Sequence, residues 1–138
     1  MGGEFDLRGH TADVAVEATA DSLAAVFEAT AGGLTAAHTD DVPAAACGRF
    51  HVRVAADSRT SLLFDYLDEL IYRRDAREVL PTDHAVDVHW NGEWVAEASA
   101  RGVPFDAVDA REIKAVTYSE MCLERTPDGW RAYVVFDV

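Results

Sequence analysis

No stretch of this sequence approaches the roughly 20 consecutive apolar residues that a membrane-spanning helix needs. A transmembrane protein of the helical kind is therefore not expected. Low-complexity tracts, internal repeats and linker-like segments are also missing. Only two cysteines are present, Cys47 and Cys122, far apart and in no CxxC pair. That excludes a disulfide-rich scaffold and favours two buried free thiols in a reducing compartment. The segment Met1-Gly2-Gly3-Glu4 has neither the basic start nor the apolar stretch of a secretory signal, so a cytoplasmic location is expected. Basic residues are scarce: 12 Lys and Arg stand against 25 Asp and Glu, for a net charge of −13. A phosphate backbone is gripped by basic surface, so tight direct binding to nucleic acid is not expected. Partners should be proteins or cations. At 138 residues, with 49% apolar, the chain suits one domain with a proper core over residues 1–138.

Apolar periodicity outlines the elements. Ser22 to about Ala37 reads as a helix, capped by Asp21 or Ser22, with Leu23, Val26, Phe27, Ala31 and Leu34 at helical spacing. Gly32-Gly33 predicts a kink or an early stop. Residues 48–55 alternate as a half-buried strand. Ser58 to Arg74 carries the strongest helix signal, an unbroken stripe of Leu62, Leu63, Tyr66, Leu67, Leu70 and Ile71. Val86, Val88 and Trp90 alternate up to Asn91-Gly92, a hairpin signal in which both turn residues would take positive φ. Gly102 to Asp106 breaks the pattern. Ile113 to Leu123 is a long β-like run, turned back by Thr126-Pro127-Asp128-Gly129 into Trp130–Phe136. Two helices and about seven strands, mostly in hairpins, give an α+β fold: a two-layer sandwich with two helices on mostly antiparallel sheet.

Chemistry concentrates at the two ends. His10-Thr11-Ala12-Asp13 interrupts two strand-like runs, and such breaks tend to carry function. Phe136-Asp137-Val138 closes the sequence, so Asp137 lies beside the α-carboxylate of Val138. If the fold joins the ends, Asp13, Asp137 and that carboxylate form an all-oxygen negative site. Like charges so close call for a proton or a cation, and a hard cation, Ca²⁺ or Mg²⁺, suits oxygen ligands. The plainer readings are a local turn stabilised by Thr11 or Asp13 and a solvated chain end. The five histidines, at 10, 38, 51, 84 and 89, lack zinc-ligand spacing. No nucleophile elbow, phosphate loop or dinucleotide turn occurs. Glu112 to Tyr118 contains a lysine, Lys114, in an otherwise acidic protein.

Taken together, His10-Thr11-Ala12-Asp13, the helices that follow, Ile113-Lys114-Ala115-Val116-Thr117-Tyr118 and Val134-Val135-Phe136-Asp137-Val138 resemble the archease family. The resemblance runs from about residue 4 to the last residue, in family order. It implies a small accessory protein, not itself an enzyme, that helps the RtcB-type RNA ligase of tRNA splicing and RNA repair. Archeases promote guanylylation of that ligase's active-site histidine, multiple turnover and broader nucleoside triphosphate use. The resemblance implies a metal site at Asp13, Asp137 and Val138, holding a divalent cation, Ca²⁺ foremost, with Mg²⁺ or Mn²⁺ as alternatives. It implies functional roles for Lys114 and for His10. The sequence departs from the family pattern at Ser119, where many relatives have histidine. It departs again in the loop reading Arg101-Gly102-Val103-Pro104 and Asp109-Ala110-Arg111, which lacks a histidine often found there. Two other functions fit the same residues: a metal-dependent phosphohydrolase and a chaperone-like interaction module.

Overall fold

The computed structural model describes residues 3–9, 13–44 and 48–138. In chain order these form β1 (Gly3–Gly9), β2 (Asp13–Ala20), α1 (Leu23–His38), β3 (Arg49–Ala56), α2 (Arg59–Arg77), β4 (Val79–Trp90) and β5 (Trp94–Pro104). A short 3₁₀ turn (Phe105–Ala107), β6 (Ala115–Thr126) and β7 (Gly129–Asp137) complete the chain. The strands divide into a four-stranded sheet, ordered β1-β2-β7-β6, and a three-stranded sheet, ordered β3-β5-β4. All five pairings between them are antiparallel. The expected α+β class, with two helices packed on antiparallel sheet, is what the chain adopts.

Both helices start on a serine cap: the Ser22 side chain accepts from the Ala25 amide, and that of Ser58 from the Ser61 amide. Helix α1 is apolar or small almost all round, the pattern of a helix with neighbours on every side. It packs on β1, β2 and β7 of one sheet and on β4 of the other. The kink expected at Gly32-Gly33 does not occur; α1 runs through to His38. Close approach explains the glycine instead, because a Cβ at Gly33 would collide with the Val16 side chain on β2. Helix α2 buries its stripe from Leu62 to Ile71 and extends past the expected Arg74 to Arg77, ending on Glu78 at φ 56°. It bridges β6 of one sheet and β3, β4 and β5 of the other.

Three strands differ from expectation. Strand β4 begins at Val79 and not near Val86, because Pro81 and a register shift between Thr82 and Ala85, with Asp83 at φ 51°, mask its first half. Strand β5 continues through Gly102 to Pro104 where a break was expected. Strand β6 starts at Ala115 and bulges between Thr117 and Cys122, with Glu120 at φ 57°. The Asn91-Gly92 hairpin forms, but its loop is Asn91-Gly92-Glu93 and only Gly92 takes positive φ, 77°. Cys122 is free and half-buried, not buried as expected; Cys47 lies outside the described residues. Among the described residues, no helix is long and apolar enough to cross a membrane.

Where Ala20 pairs with Trp130, all three tryptophans of the chain gather. The Arg59 guanidinium lies 5.4 Å from the Trp94 ring centroid and 5.2 Å from that of Trp130. Arg125 lies 5.3 Å from the Trp130 ring, and Trp90 meets Trp94 edge-on at 5.5 Å.

Candidate functional site

The opposite end of the four-stranded sheet collects the acidic candidates. In the β2–β7 ladder Asp13 pairs directly with Asp137, and Val14 with Phe136. Side chains alternate along a strand. Val14, Val16, Ala18 and Ala20 therefore face the helices with Phe136, Val134, Ala132 and Trp130. Asp13 and Asp137 share the other face, with Glu17 and Arg131 farther along, joined at 2.8 Å. Directly opposed residues on one face have Cβ atoms about 4.5–5.5 Å apart. Asp13 is half-buried, Asp137 exposed and Val138 exposed. Asp137 is exposed because β7 ends there.

Strand β6 closes the site from the far side of β7. Ala115 pairs with Asp137, and the Lys114 amide donates to the Asp137 carbonyl at 2.7 Å. Lys114, the chain's sole lysine, is exposed. The fold thus brings together Asp13, Asp137, Val138 and Lys114, which lie far apart in sequence. His10, Thr11 and Ala12 fall outside the described residues.

A polar network missed at the sequence level bonds the Ile113 carbonyl, one residue before Lys114. Arg74 on α2 is buried, and its Nη1 donates to the Ile113 carbonyl at 2.6 Å and to His38 Nε2 at 3.0 Å. Its Nε and Nη2 donate to the Asp75 carboxylate at 2.9 and 3.3 Å. His38 Nδ1 meets the Leu34 carbonyl at 2.9 Å. A carbonyl only accepts, so the proton sits on Nδ1 and Nε2 is free to accept from Arg74. Burial holds His38 down at about 4, with Arg74 and Arg111 reinforcing the shift, so the ring is neutral near pH 7. Arg111 covers the open end of α1: its Nε donates to Ala37 O at 2.9 Å, its Nη2 to Ala36 O at 3.0 Å, and its amide to His38 O at 2.6 Å.

Two other histidines, His84 and His89, make side-chain contacts of their own. His84 Nε2 lies 2.9 Å from Thr35 Oγ1, and burial lowers its pKa to about 4. His89 pairs with Asp87 at 3.0 Å on the outer face of β4. Ser119 sits on the β6 bulge next to Tyr118, whose ring stacks on Phe64 at 3.8 Å.

A hard divalent cation suits the donors present. Two opposed aspartates lie on one face of the β2–β7 ladder, with Val138 next in chain, and the donors they offer are oxygens. Among the described residues no three His, Cys, Asp or Glu side chains form a metal-holding group. The remaining places around an ion would fall to the Val138 carboxylate, backbone carbonyls and water.

Comparison with known proteins agrees with the resemblance read from the sequence. The model of the Archease protein family (MTH1598/TM1083) matches residues 5–138. Protein archease of Methanosarcina barkeri is 31% identical over 143 residues, covering 100% of this chain and 98% of that protein. Protein archease of Pyrococcus furiosus is 31% identical over 134 residues, covering 94% of each. The solution structure of protein 1598 of Methanobacterium thermoautotrophicum superposes with a TM-score of 0.83 at 28% identity, over 99% of both chains.

Proposed function

This chain belongs to the archease family, and from that membership we propose that it is a non-catalytic, metal-binding activator of an RtcB-type RNA ligase. The observation that carries the reading is the direct pairing of Asp13 with Asp137, beside the peptide of Lys114. Opposed like charges on a sheet face repel, and a divalent cation relieves them. Asp13, Asp137 and the Val138 carboxylate would hold Ca²⁺, or Mg²⁺ or Mn²⁺ in its place. Bound there, the cation supplies positive charge to phosphate oxygens. Lys114, exposed at the same sheet end, would contact a triphosphate or an acidic group of the ligase. His10 would join from the β1–β2 connection. The expected result is guanylylation of the ligase and repeated turnover in tRNA splicing or RNA repair, in the cytoplasm. Net charge of −13 makes the ligase, not naked RNA, the surface this protein recognises.

Multiple-turnover ligation of tRNA halves, with and without this protein, tests the reading. Activation that disappears in Asp137→Ala and in Lys114→Ala is the expected result. Unchanged ligation, with nucleotide hydrolysis by this protein alone, would favour the phosphohydrolase alternative. Unchanged ligation without hydrolysis would leave the interaction module.

A further inference from the structure

We propose that Arg74 is a positioning residue for Lys114, acting through the peptide bond that joins Ile113 to Lys114; its functional meaning rests on the activator reading above. That one peptide unit is held at both ends. Its carbonyl accepts from Arg74 Nη1 at 2.6 Å, and its N–H donates to the Asp137 carbonyl at 2.7 Å. A peptide unit is planar, so two hydrogen bonds at its opposite edges fix its orientation. They also hold the Lys114 Cα, from which the side chain departs, at a defined place on the strap. The same clamp ties Lys114 to the backbone of Asp137, whose carboxylate faces Asp13.

The clamp is anchored deep in the molecule. Arg74 is buried, lies over the Phe105 ring at 6.0 Å, and bonds His38 at the end of α1. Its planar fork makes four hydrogen bonds to three partners, His38, Ile113 and Asp75, one more than the three donors of a lysine ammonium allow. Ile113 is itself fully buried, so residues 108–114 are a strap with an inward apolar peg and an outward lysine. Arg111 fastens the same strap to α1 through Ala36, Ala37 and the His38 carbonyl. Two arginines and one buried side chain therefore set the course of a segment that has no helix or strand of its own. The exposed residue at its end is Lys114.

Because Lys114 is the only lysine, labelling with ¹⁵N-lysine gives a single amide signal, that of the clamped N–H. The expected result in Arg74→Gln is hydrogen exchange at Lys114 at least tenfold faster than in the wild type. Calcium affinity by calorimetry should stay within threefold, since Asp13, Asp137 and Val138 are untouched. Ligase turnover should fall at least tenfold. This split between retained ion and lost activation distinguishes positioning from general damage. A folded Arg74→Gln protein whose Lys114 amide exchanges at the wild-type rate overturns the proposal. So does loss of calcium affinity in step with activation. If Arg74→Gln does not fold, Arg74→Lys, which keeps the buried charge but not all four bonds, carries the same test; unchanged exchange at Lys114 there is equally fatal. Failure of the activator reading looks different: Lys114→Ala would activate the ligase as well as wild type, whatever the exchange rates show.

Discussion

Asp13 and Asp137 are direct cross-strand partners, two carboxylates on one face of the β2–β7 ladder. Opposed like charges cost a few tenths of a kcal/mol to about 1 kcal/mol. Removing one should therefore stabilise the ion-free protein and weaken ion binding at once. Asp13→Asn in chelator should melt about 1–3 °C above wild type. Calorimetry should show its calcium affinity reduced at least tenfold. A lower melting temperature would show that the pair is not repulsive, and an unchanged calcium affinity would show that the site is misassigned.

A second expectation concerns Val138. Residues added after it convert the α-carboxylate to a neutral amide and place bulk beside Asp137. Ion affinity and ligase guanylylation should both drop, with little change in melting temperature, because chain ends usually tolerate extension. The same tag placed before Met1 is the control. Equal ion binding by the two tagged proteins would show that the terminal carboxylate is not a ligand.

Stability should depend on pH through two buried histidines. His38 and His84 are each held near 4 against an ordinary 6.5. As pH falls the unfolded chain binds these protons first, so the unfolded state gains between pH 6.5 and about 4. Their contribution is complete above 6.5, lost progressively through that window, and flat below it. Urea unfolding at a series of pH values should show His84→Gln taking up close to one proton fewer on unfolding near pH 5 than wild type.

Tyr66 supplies a test of the core. Its ring is fully buried against Phe27, at 6.0 Å between centroids, and its hydroxyl has no hydrogen-bond partner among the described residues. Removing an unsatisfied buried hydroxyl relieves a penalty of about 1–3 kcal/mol. Tyr66→Phe should therefore be neutral or stabilising in chemical denaturation. Leu67→Ala, one residue on and also fully buried, should cost about 2–5 kcal/mol. A destabilised Tyr66→Phe would mean that the hydroxyl is satisfied by water.

The sequence announces those features that repeat locally. The α2 stripe, both hairpins and the alternation of β7 follow from spacing. The meeting of Asp13 with Asp137 needed the chain ends to join, which the family resemblance implied and the strand register displays. What stayed hidden depends on tertiary context. Pro81 and the shift at Thr82–Ala85 hide half of β4, since a bulge breaks the two-residue period. Arg74 looks like the end of a helix, His38 like a loop residue, and Arg111 like an unremarkable surface charge. Only the three-dimensional arrangement brings them to Ile113 and the end of α1.

The tryptophan cluster around Arg59 divides the molecule optically. Trp130 and Asp137 stand at opposite ends of β7, about 23 Å apart at the rise of an antiparallel strand. Every indole of the chain belongs to the Trp130 end. Intrinsic emission thus watches the start of α2 and the hairpin tips while staying blind to events beside Asp13. A dye coupled near Lys114 would be a second, independent window, so that melting and ion uptake can be followed in one cuvette as separate signals.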